Sequence, residues 1–128
     1  MIQLFKPYIC PVKKYSNFLK DIDRSMWYAN FGPLYGKFKY KLSKHFKTSD
    51  QNIELFSNGT SAIIAALQSL KDVNKPYCLV PSWTFVATVQ AIINAGMTPY
   101  FIDIDPETMH PGEDAFKMVP KSVINKTS

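Results

Sequence analysis

The feature that most constrains this chain is a regular alternation between residues 53 and 102. Ile53-Glu-Leu-Phe56, Tyr77-Cys-Leu-Val80 and Pro99-Tyr-Phe-Ile102 are short apolar runs, each closed by polar or turn-forming residues. Between them lie Ser61–Leu70, rich in Ala, Ile and Leu, and Thr84–Ala95, with Gly96 placed as a helix stop. Short strands separated by helices, joined by brief connections, predict an α/β fold with a mostly parallel sheet and flanking helices. In such a sheet ligands gather outside the carboxyl ends of the strands, so the strand-to-helix turns are the places to look for chemistry.

Upstream, residues 1–14 carry Pro7 and Pro11 and read as an extended arm. Phe18, Leu19, Ile22 and Met26 recur at helical spacing and predict a helix over Tyr15–Trp27. Asn30-Phe-Gly-Pro33 breaks it, and Leu34, Phe38, Leu42 and Phe46, four residues apart, predict a second helix over Leu34–Phe46. Downstream, Pro111–Val119 is expected to be helical and the polar tail Lys121–Ser128 to be loose. The expected organisation is an arm with helices over 1–52, an α/β layer over 53–119 and a tail over 120–128.

At 128 residues the chain holds at most one domain. A formal charge of +5 permits anionic ligands of many kinds, yet the basic residues are scattered. Lys37, Lys39, Lys41, Lys44 and Lys47 spread around a helix and read as a solvated surface, so no nucleic-acid partner is expected. Cys10 and Cys78 provide neither a disulfide framework nor metal-ligand spacing, and Cys78 in its apolar run reads as an inert thiol. No run approaches the roughly 20 apolar residues that cross a bilayer. With no leader-like start either, no membrane association is expected and the cytoplasm is the expected compartment.

Two turns carry the unusual residues. In Ser57-Asn-Gly-Thr-Ser61 the glycine permits a tight turn, and the amides of Thr60 and Ser61 open a helix whose dipole favours a phosphate. The same residue types serve as ordinary helix caps. In Pro81-Ser-Trp-Thr-Phe-Val-Ala-Thr88, Phe85 is placed to stack on a flat ring, or else Trp83 and Phe85 are core residues. Together, a phosphate turn and an aromatic turn at one sheet edge fit a flat phosphorylated cofactor better than either fits it alone. His45 and His110 have no sequence partner and read as surface residues, whereas Asp103 and Asp105 read as turn-forming carboxylates.

Asn30-Phe-Gly-Pro33, Phe56-Ser-Asn-Gly-Thr-Ser-Ala62, Val80-Pro-Ser-Trp-Thr-Phe-Val-Ala-Thr88, Asn94-Ala-Gly-Met-Thr-Pro99 and Ile102-Asp-Ile-Asp-Pro-Glu-Thr-Met109 occur in series. From about Leu4 to about Met109 the chain resembles the N-terminal part of the DegT/DnrJ/EryC1/StrS nucleotide-sugar aminotransferases. The resemblance implies part of the large domain of the type I, aspartate aminotransferase-like fold, with pyridoxal 5'-phosphate as cofactor. It implies glutamate as amino donor, a nucleotide-linked keto-sugar as acceptor, and a homo-oligomer. Gly59, Thr60 and Ser61 are then the phosphate-binding turn and Phe85 the residue that stacks on the pyridine ring. The family's Schiff-base lysine, in a Ser-x-x-x-x-Lys segment, and its acidic pyridinium partner both match positions beyond residue 128. No catalytic residue and no metal ligand is therefore assigned here, and these residues are expected to be inactive alone, as a piece of a longer chain. A sugar dehydratase of the same fold, or a non-catalytic binding or dimerisation module, stays open.

Overall fold

The computed structural model describes residues 5–128. The first four residues of the expected arm lie outside the described residues; the remainder, up to Pro11, has no regular secondary structure. The chain divides into two compact units, one ending at Leu55 and one running from Phe56 to Ser128.

The first unit holds two helices, α1 (Val12–Ser25) and α2 (Pro33–Phe46), and a short 3₁₀ turn at Asp50–Asn52. Helix α1 begins three residues before the expected start at Tyr15, because Pro11 at its N-cap leaves Val12 free to enter the first turn. It ends on Met26 in the left-handed conformation, φ 50°. The predicted break at Asn30–Pro33 has a steric cause. Trp27 donates from its indole Nε1 to the Asn30 carbonyl at 3.1 Å, and a Cβ on residue 32 would lie 3.2 Å from Trp27 Cδ1, so glycine fits. Pro33 at the first position of α2 loses no intrahelical bond.

The second unit contains the α/β layer: α3 (Gly59–Leu70), β1 (Tyr77–Pro81), α4 (Val86–Asn94), β2 (Thr98–Ile102), α5 (Glu113–Lys117) and α6 (Lys121–Ile124). Strands β1 and β2 pair in parallel, in register from Tyr77 against Thr98 to Pro81 against Ile102. Pro99 lacks an N–H and sits where edge strands tolerate it. Val80, Ile92, Ala95 and Met97 form the core, with Leu67, Cys78 and Val89 packed against it. Residues 78 and 80 share one face of β1, so period-2 alternation delivers that face to both helices.

Two expectations are corrected. Ile53–Phe56 is extended but joins no sheet, since an extended segment becomes a strand only when another backbone row pairs with it. Its Glu54 instead binds α2, accepting hydrogen bonds from the Tyr35 hydroxyl and from Lys39 Nζ. The tail is ordered rather than loose: Tyr77 N–H donates to the Lys126 carbonyl at 3.1 Å and Ser128 N–H to the Tyr77 carbonyl at 3.1 Å. The free edge of β1 offers backbone groups that the tail satisfies, which composition alone does not reveal.

Gly96 is the stop that was expected. At φ +74° it lies in the left-handed region. Its N–H donates to the Ile93 carbonyl at 2.9 Å and Met97 N–H donates to the Ile92 carbonyl at 3.1 Å, the paired bonds of a Schellman cap. A Cβ there would also fall 2.7 Å from Lys71 Nζ, which is free to move away. Gly96→Ala is therefore expected to destabilise the chain by about 1–2 kcal/mol, the cost of a left-handed alanine. Urea denaturation of the two proteins measures this, and an unchanged midpoint would refute the reading.

Candidate functional site

Asn58 caps α3 with extended backbone, φ −159° and ψ 166°, and its Oδ1 accepts the Ser61 amide at 2.8 Å. Asparagine is favoured at an N-cap because its side chain satisfies one of the helix's unpartnered amides. Of the amides at this turn, Ser61's is engaged internally, while those of Gly59 and Thr60, in the first turn, have no intrahelical acceptor. Gly59 does not supply a left-handed turn, since its φ is not positive. A Cβ built on it meets nothing within 4 Å, so the missing side chain leaves open space at the helix start. That space admits a close approach by an anion, where the dipole and two amides favour it.

Phe85 is the N-cap of α4, and its carbonyl accepts the Thr88 amide at 2.9 Å. The side chain thus stands outside the helix and is 76% exposed, with Trp83 at 67%. Neither ring belongs to the core of this unit. Phe85, Trp83, Thr84, Pro81, Met109, His110 and Pro111 line one cavity of 650 Å³. Gly59, Thr60 and Ser61 do not line it. The two predicted elements therefore belong to one unit, and α3 packs against α4, but the cavity itself is bounded by the aromatic turn and the residue 109–111 segment.

Sequence reasoning did not bring Met109 and His110 to this cavity, although His110 is exposed, as its surface reading expected. The available signal was Asp105, whose role as a turn-former is what the structure shows. Its Oδ1 accepts the amides of Glu107 at 2.9 Å and Thr108 at 2.8 Å and the Thr108 hydroxyl at 3.2 Å. These donors hold the Asp105 carboxyl below its ordinary pKa, those of Thr108 and then Glu107 most strongly. Asp103 accepts a hydrogen bond from Ser82 Oγ at 3.5 Å, joining the carboxyl ends of β1 and β2. Burial pushes the half-buried Cys78 thiol up, away from the reactive thiolate. Among the described residues no group of three or more His, Cys, Asp or Glu could hold a metal. None of their helices is long and apolar enough to cross a membrane.

The α/β layer is shared with solved aminotransferases. A solved Streptoalloteichus hindustanus aminotransferase, TlmJ, superposes on 94% of this chain and 32% of its own with a TM-score of 0.74, at 23% identity. A Bacillus cereus ATCC 10987 structure assigned to the PLP-dependent aminotransferases aligns at 34% identity with a TM-score of 0.68, covering 81% of this chain and 30% of that one. Residues 11–126 match the DegT/DnrJ/EryC1/StrS aminotransferase family, and the chain belongs to it. It is 29% identical to the dTDP-4-amino-4,6-dideoxy-D-glucose transaminase of Escherichia coli over 99% of this chain. It is 32% identical to the GDP-perosamine synthase of Escherichia coli O157:H7 over 90% of this chain and 29% of that protein. The chain spans about a third of the length of the former relative, 32%. The family and the structural neighbours imply pyridoxal phosphate as the cofactor, and the open helix start and exposed Phe85 ring are compatible with its phosphate and its ring.

Because the Asp105 carboxyl is depressed, its contribution to the 105–110 turn is fully present above the ordinary carboxylate range. That contribution is lost as pH falls through the lowered value. The Glu107 and Thr108 amide resonances are expected to hold their folded positions to a pH below that range and then shift together. Asp105→Asn should remove the transition; a midpoint at the free-aspartate value would contradict the turn.

Proposed function

We propose that these residues form the phosphate-and-ring end of a pyridoxal-phosphate aminotransferase that moves an amino group from glutamate to a nucleotide-linked keto-sugar. The observation that carries the cofactor reading is the open space above Gly59 at the start of α3. The sugar class rests on family membership and on relatives named as a dTDP-amino-sugar transaminase and a GDP-perosamine synthase.

When bound, pyridoxal phosphate supplies an aldehyde carbon to take up the amino group and a ring that accepts the electron pair released in the reaction. The Gly59 and Thr60 amides donate to the phosphate, and the Thr60 hydroxyl is a further donor beside them. Ser61, whose amide is held by Asn58, offers its hydroxyl rather than its backbone. Phe85, at the N-cap of α4, presents an exposed ring. Stacking there orients a flat ring and shields that face from water.

The test uses 4-deoxypyridoxine 5'-phosphate, which lacks the aldehyde and so cannot react with surface lysines. Calorimetric titration is expected to show binding that Gly59→Val abolishes by filling the open space. Phe85→Ala should weaken it about five-fold, the worth of one stacking contact. Thr60→Ala should cost less, since the amide remains. Equal affinities across the series would dismiss the proposal.

Turnover needs a lysine amine beside the aldehyde, and no lysine lines the Phe85 cavity. The 128 residues alone, given pyridoxal phosphate, glutamate and nucleotide-linked keto-sugars, are expected to release no 2-oxoglutarate. Sustained release would assign the amine to a lysine such as Lys121 or Lys126.

A further inference from the structure

Asn58, which caps α3, is the chain's only asparagine followed by glycine. That pair is where an asparagine side chain reacts most readily with its own backbone. The Gly59 nitrogen adds to the Asn58 side-chain carbonyl carbon, the C–NH2 bond breaks, and the departing nitrogen takes the Gly59 proton away as ammonia. A five-membered imide remains. Water then opens it at either carbonyl, leaving aspartate or its β-linked isomer at position 58. One water enters, one ammonia leaves, and nothing is oxidised or reduced. Glycine favours the closure because no β-carbon crowds the attacking nitrogen.

The fold exposes this pair and also holds it back. Asn58 and Gly59 are both exposed, and a Cβ on residue 59 would meet nothing within 4 Å, so water and hydroxide reach the peptide. The ring closes only where the Gly59 nitrogen eclipses Cβ, at ψ of roughly −120° by tetrahedral geometry, whereas Asn58 stands at ψ 166°. Turning to that angle crosses disfavoured backbone and swings the Asn58 carbonyl off the Ala62 N–H, which donates to it at 3.3 Å. The side chain is held as well. Its Oδ1 accepts the Ser61 amide at 2.8 Å, and its Nδ2 donates to Ser57 Oγ at 3.3 Å. The Ala62 and Ser61 bonds belong to the first turn of α3, so the reaction waits for that turn to open.

We infer that Asn58–Gly59 is a self-modification site gated by α3: Asn58 loses its side-chain amide when the first turn opens, and the product places a carboxylate at the helix start. Aspartate caps a helix as well as asparagine does and suits the positive end of the dipole, so α3 re-forms around it. The isomer carries one more carbon in the main chain and cannot set its oxygen on the Ser61 amide in the same way. Either carboxylate stands beside the Gly59 and Thr60 amides and repels a second anion there. This last consequence rests on the phosphate reading above; the gated reaction does not.

The 128-residue protein, kept at mildly alkaline pH, is sampled over days for released ammonia and for the mass of the peptide carrying residue 58. Conversion is expected to be faster in urea than in the native protein, and in urea faster at Asn58 than at any other asparagine. Ser61→Pro removes the amide that pins Oδ1, at a first-turn position where proline is tolerated. It should speed native conversion about five-fold, the worth of one cap bond. Ser61→Ala keeps the amide and should convert like the parent. Gly59→Ala should convert more slowly than the parent in urea. Asn58→Asp should keep the parent's melting temperature and bind inorganic phosphate about five-fold more weakly, the repulsion of one added charge.

Equal parent rates in native protein and in urea would overturn the gate, and this comparison decides it even if Ser61→Pro does not fold. A folded Ser61→Pro that converts at the parent's rate would overturn the part played by the cap bond. In urea, conversion at Asn58 no faster than elsewhere, or unchanged in Gly59→Ala, would overturn the site itself. If the parent binds no phosphate, the phosphate reading falls and the charge effect with it, while the conversion rates still decide the reaction. Phosphate bound equally by the parent and Asn58→Asp would overturn the charge effect alone.

Discussion

Parallel pairing of β1 and β2 obliges the chain to travel back along the sheet between them, and α4 makes that return. The helix is held down by Ile92 and Ala91, both almost fully buried, with Val80 of β1 buried in the same core as Ile92. The return then has to end within two residues so that Met97 drops into the same core and Thr98 starts β2. Gly96 makes this possible by adopting a conformation that other residues enter at a cost. Burial of one apolar face and a glycine reversal at the helix end are thus two halves of one constraint. Register, core and the position of the strand ends all follow from it.

With the strands aligned from Tyr77 and Thr98 onward, their carboxyl ends finish together at Pro81 and Ile102. The Ser82 amide donates to the Ile102 carbonyl at 2.8 Å, and the Ser82 hydroxyl reaches Asp103. The two chain segments leaving the sheet are therefore tied at their roots. One carries Trp83 and Phe85, and the other carries Asp105 with its stapled turn. A cavity between segments rooted on paired strands is positioned by the sheet, whereas the identity of what fills it is set by side chains on the loops.

The relatives place the chain in a family of aminotransferases while exceeding it in length about three-fold, since it spans 32% of the Escherichia coli transaminase. This stretch presents the amides at the start of α3 and an exposed Phe85 ring at the start of α4. Electrostatics at the α3 start derive from backbone atoms, so they depend on helix formation and tolerate many side chains nearby. The aromatic face depends on one residue, Phe85, staying at a cap position.

Much of this was legible in the residues, and the parts that were not share a cause. Periodicity of apolar residues and local turn chemistry located α2, α3, α4, β1, β2 and the Gly96 stop, because those signals act over a few residues. Asp105 could be read as a turn-former from its type and neighbours. Whether Ile53–Phe56 pairs with another strand could not, because pairing depends on a distant partner, and here Glu54 turns to Tyr35 and Lys39 instead. Nor could the tail's bond to Tyr77, some 50 residues away in sequence. The exposure of Trp83 and Phe85 and their meeting with Met109 and His110 belong to the same class. Local sequence determined the elements and the family; only tertiary structure decided which turns face one another, because that depends on how β1, α4 and β2 pack.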